Sequence, residues 1–132
     1  MDPHARFAAT PVNRLLGSRL VVRDADRAEL ELPLRPDFAQ EEGVVHGGLI
    51  ALLADSAAVW LLWPDLDARR AMTSIEFKLN FLAAARPDGP PLRAVAVPLR
   101  IGRTVAVCES EVRQGAVLVA KGSFTYLLRD RA

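Results

Sequence analysis

The chain is poor in the residues that anchor small proteins by covalent or metal chemistry. Its 132 residues include one cysteine, Cys108, and two histidines, His4 and His46. One cysteine cannot close an internal disulfide, which fits a reducing compartment and a cytoplasmic location. The same scarcity leaves no spaced ligand set for zinc, and no run of carboxylates follows the pattern of a calcium loop. No metal and no cofactor are therefore implied. An excess of charge of either sign is missing too. Seventeen basic and 16 acidic side chains leave a net charge of +1, which gives no reason to expect nucleic acid or an acidic membrane surface as a partner. Met1 to Gly17 lacks the continuous apolar core of a signal peptide, so export is not expected. The apolar run from Leu49 to Trp63 is shorter than the roughly 20 residues of a membrane span, and it carries Asp55 inside it. There is no internal repeat, low-complexity tract or obvious linker, so 1–132 reads as a single domain.

What the chain has in excess is apolar surface. Apolar residues make up 51% of it and its mean hydropathy is +0.15, high values for a small soluble monomer. They point to burial against another copy of the chain as well as within one.

The most informative segment is Val45-His46-Gly47-Gly48 followed by Leu49 to Trp63, apolar but for Asp55 and Ser56. An unpaired buried carboxylate costs several kcal/mol or shifts its pKa until it neutralises. Two glycines at a helix start let a ligand approach exposed backbone N–H groups, where the helix dipole favours developing negative charge. A carboxylate and an oxyanion site are what hydrolysis of an acyl compound needs. The bland alternatives are a capping histidine, a tight turn, and an Asp55 bonded to a neighbouring hydroxyl such as Ser56.

Patterning supplies the frame. Met1 to Pro11 reads as a loose arm or a short helix, within an N-terminal arm of residues 1–16. Arg19 to Arg23 and Ala28 to Leu34 read as strands joined by a polar turn at Asp24-Ala25-Asp26. Arg35 to Val45 is a loop, and the helix that follows must end near Pro64. From Ser74 to Phe81 the residues alternate: Ile75, Phe77, Leu79 and Phe81 on one face, Ser74, Glu76, Lys78 and Asn80 on the other. Leu92 to Leu99 is a strand in which Pro98 marks an edge or a bulge. Ile101-Gly102-Arg103 turns into Thr104 to Val112, and Gln114-Gly115 turns into Val117 to Leu128. Two strands, one long helix and four strands make an α+β fold, in which one antiparallel six-stranded sheet wraps the only apolar helix.

His46-Gly47-Gly48 with Leu49 to Asp55 resembles the signature of hotdog-fold acyl-CoA thioesterases, most nearly the phenylacetate-pathway (PaaI-like) type. Thr73 to Leu82, Arg86-Pro87-x-Gly89, Ile101 to Ala106 and Ala120 to Phe124 resemble the segments that follow in that family, so the likeness spans roughly residues 17 to 128. It implies an acyl-CoA substrate and a homodimer or dimer-of-dimers tetramer, with residues of two subunits in each site. It also implies roles. The Gly47 N–H, with Gly48 beside it, would hold the oxyanion, and Asp55 would be general base or nucleophile. His46 would orient the loop rather than move protons. Gln40 stands where relatives often carry an asparagine that assists at the carbonyl. Ser74 matches a serine that positions the water, although alternation alone makes it a solvated residue. Arg103 and Arg86 are candidates for the phosphates of coenzyme A. Cys108 reads as core, and Trp60 and Trp63 as core, dimer interface or a wall for an aryl group.

Spacing carries one inference of its own. Asp55 lies eight residues beyond Gly47, about 12 Å along a helix axis, too far for both to act on one carbonyl. Ala51, Asp55 and Ala58 continue the line of the glycines as a stripe of small residues, against which a second helix or a narrow acyl chain can lie; alternatively the alanines pack under the sheet. Two functions stay open: a thioester hydrolase, and a non-catalytic acyl-CoA-binding hotdog module. A hydratase is disfavoured because Trp60 stands where its Asp-x₄-His pair would need a histidine.

Overall fold

The computed structural model describes residues 2–132. Three helices, α1 (Pro3–Ala9), α2 (Pro11–Leu16) and α3 (Gly47–Leu62), accompany six strands. These are β1 (Arg19–Arg23), β2 (Ala28–Leu32), β3 (Arg70–Phe81), β4 (Leu92–Ile101), β5 (Val105–Gln114) and β6 (Val117–Asp130). They form one antiparallel sheet in the order β1-β2-β4-β5-β6-β3, curved around α3 as the patterning requires. β2 stops two residues short of the expected Leu34, since Pro33 has no N–H for the ladder. β3 starts at Arg70, four residues earlier than the alternation suggests.

α3 is built from good helix formers, mostly leucine and alanine. Its sheet-facing residues, among them Ile50, Leu53, Ala54, Ala57, Ala58 and Leu61, are buried. Ala58 therefore belongs to the core, while Ala51 and Asp55 on the same stripe stay half-buried. A 3₁₀ turn, Trp63–Asp65, ends the helix with Pro64 inside it. Arg23 closes that end, donating from Nη2 to the Leu61 carbonyl (2.6 Å) and from Nε to the Trp60 carbonyl (3.2 Å). The last carbonyls are thus satisfied by a cation that also suits the dipole. With its glycines and the 3₁₀ turn the helical segment runs for 19 residues, Gly47–Asp65, long and apolar enough to cross a membrane by length and composition. Length alone thus does not exclude a span, contrary to the reading of the apolar run. Its packing under the sheet is that of a core helix.

Of the two readings of the N-terminal arm, the short helix is the one found, as α1, and a second short helix, α2, follows it. Phe7 of α1 is buried edge-on against Trp60 at 5.1 Å, and Trp60 meets Trp63 in the same way. The Arg6 guanidinium lies 4.3 Å over the Trp63 ring. The tryptophans are thus covered from within the protomer.

Two features of the sheet set the stage for the site. β3 is an edge strand on which Ile75, Phe77 and Phe81 are 55%, 49% and 55% exposed, an apolar edge of the kind that recruits another strand. β3 also carries a bulge. Its pairing with β6 runs Ser74 opposite Tyr126 and then Glu76 opposite Thr125, leaving Ile75 extra. The strict alternation read from the sequence therefore breaks at Ile75, and Ser74 moves to the helix-facing side with Phe77 and Leu79. A second bulge follows Pro98, in the part of β4 that extends past the end of β2. Gly122 on β6 lets β3 come close: a Cβ there would collide with the Lys78 carbonyl oxygen and lie 2.8 Å from the Leu79 Cα.

Candidate active site

The start of α3 is fixed by a net of backbone bonds. The His46 N–H donates to the Phe38 carbonyl, Val45 to Ala85, and Gln40 to Val44. His46 is the N-cap, and its Nδ1 accepts the Gly48 N–H at 2.8 Å. That leaves Nδ1 unprotonated and commits Gly48's donor to the cap. Gly47, the first helical residue, has no backbone acceptor for its N–H among the described residues. Such donors are available to a ligand.

Beside Gly47 lies a pocket of about 410 Å³, walled by Val44, Val45, Ile50, Phe81 and the Leu82–Ala85 segment. Gln40 lines it as well, and its Oε1 is buried without a hydrogen-bond partner. The Phe81 ring comes within 3.3 Å of where a Gly47 Cβ would stand. Gln40 and Gly47 are thus brought to one apolar hollow. Two larger clefts, of about 680 and 580 Å³, lie by Arg69–Arg131 and by Arg35–Pro36 and contain neither Gly47 nor Asp55.

Asp55 is two turns further along α3, and its partner is not Ser56. The Tyr126 hydroxyl donates to Asp55 Oδ1 at 2.6 Å. Tyr126 points inward from β6 and is 1% exposed. Burial first, then the bond to Asp55 and its negative charge, push the phenol far above its ordinary range, so it stays a donor at any working pH. Ser74 pairs with Tyr126 across the strands, and paired residues share a face, so Ser74 lies on the face of Tyr126 while remaining exposed at the sheet edge, as expected of a solvated residue. Sequence reasoning missed Tyr126. The available signal was that the chain's single tyrosine falls on the inward register of Phe124 and Leu128, where a hydroxyl needs a partner.

The two arginines are not brought together. Arg103 sits in the β4–β5 turn, its carbonyl accepting from Arg70 at 2.7 Å, at the start of β3. Arg86 follows the far end of β3. Its backbone is clamped by Gln114 through two bonds of 2.9 Å, and its guanidinium points out towards Asp88. About 36 Å of strand separates the two ends at 3.3 Å per residue. Cys108 is wholly buried, and burial pushes its thiol up to about 12, which suits a packing role rather than a nucleophile.

The helix thus carries two separate features, an open N–H beside an apolar pocket and a carboxylate held by a phenol, about 12 Å apart. Residues 42–121 match the model of the "Thioesterase superfamily". A protein of Deinococcus radiodurans named "Putative esterase" is 37% identical over 101 residues, 76% of this chain and 66% of that protein. Among solved structures, a thioesterase family protein from Silicibacter pomeroyi is 25% identical, with a TM-score of 0.86 over 98% of this chain and 96% of its own. A mutant of thioesterase PA1618 from Pseudomonas aeruginosa superposes with a TM-score of 0.87 over 98% of this chain and 92% of its own at 21% identity, a likeness of fold.

Proposed function

The chain belongs to the thioesterase superfamily, and on that footing we propose that it hydrolyses acyl- or aryl-CoA thioesters to the free acid and CoA. The observation that carries this reading is an uncommitted Gly47 N–H beside an apolar pocket, on the same helix as the half-buried Asp55 carboxylate. The thioester carbonyl oxygen accepts from Gly47, and the acyl group lies against Phe81 and Ile50. Water attacks the carbonyl carbon while Asp55 takes its proton. The C–S bond then breaks, and the proton passes to the departing sulfur to give the CoA thiol. Alternatively Asp55 attacks first, forming a mixed anhydride that water opens. Either route releases the same products. Gln40 assists at the carbonyl, Ser74 positions the water and His46 holds the loop.

The gap of about 12 Å between the half-sites calls for two subunits. An antiparallel pairing of β3 with a second copy, about a two-fold near Phe77 and Lys78, covers the exposed apolar edge. It brings the Gly47 and Phe81 end of one copy beside the Asp55 and Ser74 of the other. It also draws the Arg103 end of one copy towards the Arg86 end of the other, so that both solvent-facing guanidinia can serve one CoA. The enzyme is then a homodimer, or a tetramer of two such dimers, and the lone buried thiol fits the cytoplasm.

A panel of acyl- and aryl-CoAs with a thiol-trapping reagent tests the reading. Saturable thiol release is the expected result, from a species that light scattering shows to be at least dimeric. Tight binding of acyl-CoA without release would instead make the chain a binding module, and full activity from a stable monomer would remove the shared site.

A further inference from the structure

We infer that Tyr126 is a positioning residue for that reaction, holding Asp55 Oδ1 so that Oδ2 alone acts on the water or the substrate. The inference rests on the role given to Asp55 above. Its starting point is the bond itself. At 2.6 Å the contact has the length of a charge-assisted O–H···O⁻ bond, about twice as strong as a neutral one. A second, longer approach of the same hydroxyl to the Asp55 backbone carbonyl, at 3.4 Å, ties the phenol to both parts of the residue.

The packing explains why the hydroxyl can steer. The Tyr126 ring is immobilised in the core between its inward neighbours Phe124 and Leu128, and β6 is paired on both sides, with β5 and β3. Asp55, by contrast, projects from a helix on a side chain with two torsions of its own and is only half-buried. A rigid donor facing a mobile carboxylate fixes the carboxylate. A phenylalanine would fill the same volume without a buried hydroxyl, so the fold has no need of the oxygen unless Asp55 does. Because burial and the neighbouring charge keep the phenol protonated, it never competes with Asp55 for the water's proton. Ser74, across the strand on the same face, is then left to Oδ2 and the water.

The test is a mutant cycle with kinetic readouts. Tyr126→Phe in the otherwise intact oligomer is expected to lower kcat on the order of 10–10²-fold, the cost of a loosely held catalytic group, with KM little changed. On an Asp55→Asn background the same substitution should cause no further loss of activity, since the group it positions is gone. A purely structural tyrosine would lower the melting temperature and leave kcat alone, or act equally on both backgrounds, and either result overturns the inference. If Tyr126→Phe does not fold, the single tyrosine offers another route. Biosynthetic 3-fluorotyrosine alters this hydroxyl alone, and its ¹⁹F resonance should move on Asp55→Asn while kcat changes with the acidity of the phenol. An unmoved resonance and an unchanged kcat would overturn the inference. Full turnover by Asp55→Asn itself would instead remove the reading of Asp55, a result distinct from a Tyr126→Phe enzyme that keeps its kcat while Asp55→Asn is dead.

Discussion

Asp55→Asn is expected to lose on the order of 10²–10⁴-fold in kcat, the usual worth of a general acid–base group, while melting at or above the wild-type temperature. The two effects separate because the amide is nearly the same size and its oxygen can still accept from Tyr126. A half-buried charge disappears at the same time, which relieves desolvation. Substrate affinity should change little, since Gly47, Gln40 and the arginines are untouched. Hydrolysis of an acyl-CoA and thermal melting of the same preparation check this. Wild-type turnover would make Asp55 structural and turn the chain into a binder.

The second large effect is expected at the other half-site. Gly47→Pro removes the N–H, puts the ring Cδ in its place and adds the same Cβ beside Phe81 that an alanine would. Gly47 is the first residue of α3, where proline is well tolerated. The preceding His46 has φ −59° and ψ 129°, the extended conformation that a following proline prefers. Without the donor, kcat should fall on the order of 10²–10³-fold. Gly47→Ala is the control. Its Cβ meets only the Phe81 ring at 3.3 Å, on an exposed side chain that can yield, so most activity should remain. Equal rates for Gly47→Pro and Gly47→Ala would show that the carbonyl is polarised elsewhere.

The frame was legible in the sequence because it rests on periodicity. The Leu49 to Trp63 run, the alternation before Phe81 and the Pro/Gly breaks lead to the helix, the long strand and the turns within a few residues. Asp55 and Gly47 were legible because each breaks a local rule, a charge in an apolar helix and paired glycines at its start. The bulge at Ile75 was not, since an inserted residue leaves the composition of a strand unchanged. It nevertheless decides which face Ser74 occupies. Tyr126 was hidden for a different reason. It meets Asp55 across 71 residues of chain, and only the register of β6 over α3 brings them together. The same holds for Phe7 on Trp60, which turns an apparent arm into two docked helices. For Arg86 and Arg103, short motifs located each residue correctly in a turn and said nothing of the length of β3 between the turns.

The central claim is a site shared between two copies, and complementation tests it most directly. Asp55→Asn and Gly47→Pro are each inactive alone on this account. Co-expressed and allowed to pair at random, they form mixed dimers in which one site combines an intact Gly47 with an intact Asp55. The mixture should recover about a quarter of wild-type activity, the yield of one good site in half of the dimers. A mixture no more active than its parents, with mixed dimers shown to be present, would contradict the shared site.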